Sequence, residues 1–131
     1  MSKILPLIAL AFLLNGCEAK QQALGLRAAV LAKLQADPDL KDYKLDPEPI
    51  ADCVVQAVSD GAPSIPGDPR RDTYFAAYTK FFNANTPGEA DAIIKEYKDF
   101  FGSEKAANEA ALAITDHIMS CMGQAIDERG E

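Results

Sequence analysis

Three times in this chain a side chain able to accept a hydrogen bond is followed by proline at the head of an apolar-periodic run: Asp46-Pro47, Asp68-Pro69 and Thr86-Pro87. An Asp or Thr side chain satisfies the free N–H groups of a helix's first turn, and proline fits the first helical position because its missing N–H would bond nothing there. In Thr86-Pro87-Gly88-Glu89 the fourth residue completes a capping box. The runs that follow repeat at helical spacing. Ile50, Cys53, Val54, Ala57 and Val58 share one face, as do Tyr74, Phe75, Tyr78, Phe81 and Phe82, and then Ala90, Ile93, Ile94, Tyr97, Phe100 and Phe101. Gly61, Asn85 and Gly102 stop these three segments, and Ser103 caps another over about residues 104–127. A first helix is expected over about 19–36, with Leu24, Leu31 and Leu34 on one face beside Val30, ended by Asp37-Pro38. Residues 37–47 read as a charged connection. No stretch alternates long enough for a strand. The fold expected is all-α, a bundle of four to five helices.

The segment before the first helix has a different character. Met1-Ser2-Lys3 carries one positive charge, Ile4 to Leu14 is an apolar run of 11 residues interrupted only by Pro6, and Asn15-Gly16 precedes Cys17. That is the layout of an export signal, and the run is shorter than the roughly 20 residues of a membrane-spanning helix. Leu14-Asn15-Gly16-Cys17 resembles the bacterial lipobox, with Asn15 where Ala, Ser or Thr is usual. The resemblance implies a signal peptide over residues 1–16 and a single domain over 17–131, with Cys17 as first residue carrying the lipid. Glu18 rather than Asp follows Cys17, which in lipoproteins of the enteric type implies the periplasmic face of the outer membrane. Cleavage after Ala19 is the alternative, giving a soluble periplasmic or secreted protein.

Export bears on the remaining cysteines. With Cys17 acylated, Cys53 and Cys121 are left, and an even pair in an oxidising compartment predicts one disulfide. The bridge requires the second helix to pack beside the end of the last, with Cα atoms about 5.5 Å apart.

The charge narrows the function classes. There are 13 basic and 20 acidic residues, and removal of the segment with Lys3 leaves a net charge of −8. This excludes nucleic acid as the expected partner and disfavours adsorption to anionic lipid, so the membrane is to be reached through the lipid on Cys17. With one His and no Trp, catalytic equipment is sparse. His117 is expected as a half-buried structural residue, since Asp116 points about 100° away around the same helix. No enzyme activity and no cofactor are predicted. Asp37-x-Asp39-x-Lys41, with Glu48 at the twelfth position, has calcium-loop spacing, but Lys41 and Asp42 stand where a ligand and a glycine are needed, so no metal is expected.

The aromatics between Tyr74 and Phe101 are expected in the core, a groove for an apolar ligand being the alternative. Arg70 and Arg71, at an unfavourable helix N-terminus, are expected to pair with Asp68 and Asp72. What remains is a surface. Asp37, Asp39, Asp42, Asp46, Glu48 and Asp52 stand against Lys41 and Lys44 alone, and they form the candidate partner-binding segment. Its charges are expected to be removable without harm to the fold.

In size, anchor, helical content and single disulfide the chain is similar to immunity lipoproteins, which neutralise periplasmic toxins. It is also similar to secretin pilotins, which escort outer-membrane channel subunits. The first resemblance implies an inhibitor of a basic toxin or enzyme, the second an assembly factor. A carrier of an apolar small ligand is the third expectation.

Overall fold

The computed structural model describes residues 15–130, with side chains from Gln21 onward. Residues 1–14 of the expected export signal lie outside the described residues, and so does the side chain of Cys17. The elements are α1 (Asn15–Gln35), α2 (Pro38–Asp42), α3 (Pro47–Asp60), α4 (Pro69–Asn83), α5 (Pro87–Phe101) and α6 (Glu104–Glu128). The protein is all-α among the described residues, five long helices and one single turn. The proline-headed starts fall where expected: Asp46, Asp68 and Thr86 accept from the backbone N–H groups of Glu48, Arg70 and Glu89. Ser103 caps α6 in the same way, and Gly102 ends α5 with a φ of 101°, a left-handed conformation suited to glycine.

The sixth element corrects the reading of 37–47 as a connection. Asp37-Pro38 does not simply end α1. Asp37 accepts from the N–H of Asp39 and so starts α2. The turn closes in a Schellman arrangement: Leu45 N–H donates to the Leu40 carbonyl at 2.9 Å, and Lys44 N–H to that of Lys41 at 3.1 Å. Lys44 takes the left-handed position, with φ 53°, that glycine usually holds. Leu40 and Leu45, at the two positions whose apolar side chains commonly accompany this motif, are both buried.

Helix α1 packs on α4 and α3, and α6 on α5 and α3. The inward face of the first helix is rotated from the one expected. Val30 and Leu34 are buried and Leu31 packs half-buried against the core, as expected, but Leu26 and Ala29 join them and Leu24 is exposed. Between Ala23 and Ala32 this helix is apolar nearly all round, so periodicity does not select a face. Arg27, the one charged residue there, bonds to Glu48 and Asp52 on α3, and the helix sits in the rotation that allows this.

The disulfide joins Cys53 on α3 to Cys121 on α6 with Cα atoms 5.9 Å apart, so the two helices lie side by side as the pairing required. The α4 aromatics are core residues, exposed by only 3–8%. Tyr78 and Phe81 each meet Phe101 of α5 with ring centroids 6.4 Å apart. Tyr74 donates to the Val58 carbonyl at the end of α3, and burial holds its hydroxyl proton well above the usual range. A Cβ on Gly61 would come within 2.6 Å of that hydroxyl, so the absent side chain lets the α3–α4 turn close over it.

Candidate partner-binding surface

The acidic segment begins where α1 ends. A 21-residue helix is roughly 30 Å long, so the segment lies about that far from Asn15. Its six carboxylates have different tasks. Asp37 and Asp46 cap α2 and α3. Glu48 and Asp52 hold Arg27, at 2.5 and 2.7 Å. Asp39 and Asp42 are exposed, and neither side chain has a partner among the described residues. The six acids are therefore not one uniform patch. The expectation that several can be neutralised without cost is corrected to these two. Removing the others would uncap a helix or leave Arg27 without its carboxylates.

On the single turn of α2 and its C-cap Tyr43, Asp42, Asp39 and Tyr43 fall within about 100° of arc at 100° per residue, with buried Leu40 about 60° beyond Tyr43. Tyr43 is 57% exposed. It was not singled out from the sequence, because an isolated aromatic in a charged stretch has no periodic neighbours. The backbone beneath it is held firmly. Its N–H donates to Asp39, and Arg129 at the end of α6 donates to the carbonyls of both Tyr43 and Lys44, at 3.1 and 3.3 Å. A large aromatic and two carboxylates are thus presented on a fixed turn. Beside it lies an open groove of about 640 Å³ between the C-terminal parts of α1 and α4, floored by Ala29, Ala32, Ala36 and Phe82, with Lys33, Asp37 and Asp39 at its rim.

The other singled-out residues have structural settings. Arg70 bonds to Asp68 at 2.7 Å, and this pair holds the Asp68 carboxyl below its ordinary range. Arg71 does not use Asp72. It donates to the Pro63 carbonyl and lies over the Phe75 ring at 5.6 Å. His117 is half-buried on α6, one turn before Cys121.

Chemically, the arrangement can meet a complementary surface: exposed carboxylates steer a basic partner, and a fixed tyrosine offers a ring for contact or cation stacking. Comparison of the chain with family models, with curated proteins and with solved structures found no match.

Proposed function

We propose that this protein is an envelope lipoprotein that binds a basic protein in the periplasm, as an immunity-type inhibitor of a toxin or enzyme. The observation that carries the reading is the acidic end: Asp39, Asp42 and Tyr43 are exposed on a turn whose backbone is fixed by the Schellman bonds and by Arg129. A surface already held in its binding shape loses less conformational entropy on association, which favours tight binding from a small area. The anchor supports the same reading. Lipid on Cys17 would hold the start of α1 at the outer membrane and leave the acidic end, roughly 30 Å along that helix, facing the periplasm. Labelled palmitate is expected to enter the protein, with labelling abolished by Cys17→Ser. A wild-type chain that stays unlabelled and is recovered free in the medium would remove the anchor from the account.

The binding test is retention of envelope proteins by the full chain and by its Asp39→Asn/Asp42→Asn variant. The wild type should retain a basic protein at low salt and release it as salt rises, and the variant should retain much less while melting at the same temperature. Equal retention by both contradicts the proposal.

A further inference from the structure

A helix apolar on two faces is expected to be packed from both sides, yet one apolar face of α6 is uncovered. Ala107, Ile114, Ile118 and Cys121 are buried against the bundle. On the other side Leu112 and Met119 are 62% and 66% exposed. They lie seven residues apart, so they stand roughly 10 Å apart along one line of the helix, and half-buried Ile126 continues that line. One step round the helix runs an acidic row, Glu109, Asp116 and Asp127, in which Glu109 lies 3.9 Å from Lys105 one turn before it. From Ala106 to Glu128 the helix carries no Lys or Arg. Gly123 stands on the same face with open space where a Cβ would be. Glycine is costly inside a helix and permits close approach of another backbone.

We infer that the outer face of α6 is a docking surface for a basic amphipathic helix of another protein. Charge selects this occupant. An antiparallel second copy would set acidic row against acidic row, in any pairing the two chains carry the same net negative charge, and an anionic membrane surface would be repelled in the same way. A helix with apolar anchors at i, i+3 or i+4 and i+7, flanked by Lys and Arg, satisfies both rows at once. The face is distinct from the acidic end, and the inference does not rest on that reading.

The test is site-specific photo-crosslinking in the full chain, in cells, with the reactive residue at Leu112, at Met119, at Asp42 and at exposed Lys98 on α5 as reference. Leu112 and Met119 should give adducts with one basic protein at about tenfold the reference yield, mapping to a segment of Lys- or Arg-flanked apolar residues. Glu109→Lys/Asp116→Lys should abolish them without changing the melting temperature. Adducts of the chain with itself or with phospholipid, or yields no higher than at Lys98, overturn the inference. Adducts at Asp42 alone overturn it while leaving the acidic end as the binding surface.

Discussion

Replacing Cys53 or Cys121 by Ser is expected to lower stability by about 2–5 kcal/mol, the range for a native bridge in a small domain. The bridge closes 68 residues, spanning most of α3, all of α4 and α5 and most of α6. Chain-entropy arguments give about 4 kcal/mol for a loop of that length. A domain of this size is stable by only about 5–15 kcal/mol, so the loss is a large fraction of the whole. Cys121 is buried and Cys53 half-buried between α3 and α6, two helices that also pack on each other directly, so the fold should survive in weakened form. Urea unfolding should show a lower midpoint for each variant. A reductant should lower the wild-type midpoint to the same place and leave the variants unchanged. Wild-type unfolding insensitive to reductant would contradict the bridge.

Leu40→Ala carries the second large expectation, a loss of about 2–5 kcal/mol. Leu40 is 2% exposed and is the only buried residue of α2. Its carbonyl accepts the Leu45 N–H that closes the Schellman turn, and both neighbours in the chain, Asp39 and Lys41, face solvent. Truncation should open the turn before the rest of the bundle. Hydrogen exchange of the Lys44 and Leu45 amides, which donate within the turn, should therefore accelerate more than that of α4 amides. Partner binding should weaken too, because Asp39, Asp42 and Tyr43 would no longer be held in place. Unchanged exchange at Lys44 and Leu45 would show that Leu40 does not anchor the acidic end.

The helices that announce themselves in the sequence combine a cap-and-proline start with a strongly two-sided pattern. Residues 47–60, 69–83 and 87–101 all do so, and the structure places their ends within a residue or two of the expected positions. Asp37-Pro38 carries the same start signal, but only one apolar residue, Leu40, follows before the turn. A single turn is too short to show a period, so in the sequence the pair looks like a terminator. The rotation of α1 is hidden for the opposite reason, apolar residues on every side, and it depends on Arg27 finding Glu48 and Asp52 across the sequence. Leu112, Met119 and Ile126 recur every seven residues along α6, but periodicity shows that a face is apolar without showing what covers it. The acidic segment was visible as composition. Its division into capping, Arg27-binding and free carboxylates required the folded arrangement.

Asp39 and Asp42 are expected to steer a basic partner to this end of the bundle. This is tested most directly by stopped-flow association of the retained partner with the full chain and with its Asp39→Asn/Asp42→Asn variant, at about 0.02 M and about 0.5 M salt. Exposed charges act mainly on the association rate. The account predicts fast, steeply salt-dependent association for the wild type, several-fold slower association for the variant at low salt, and convergence of the two at high salt. Equal rates for wild type and variant under both conditions would contradict it.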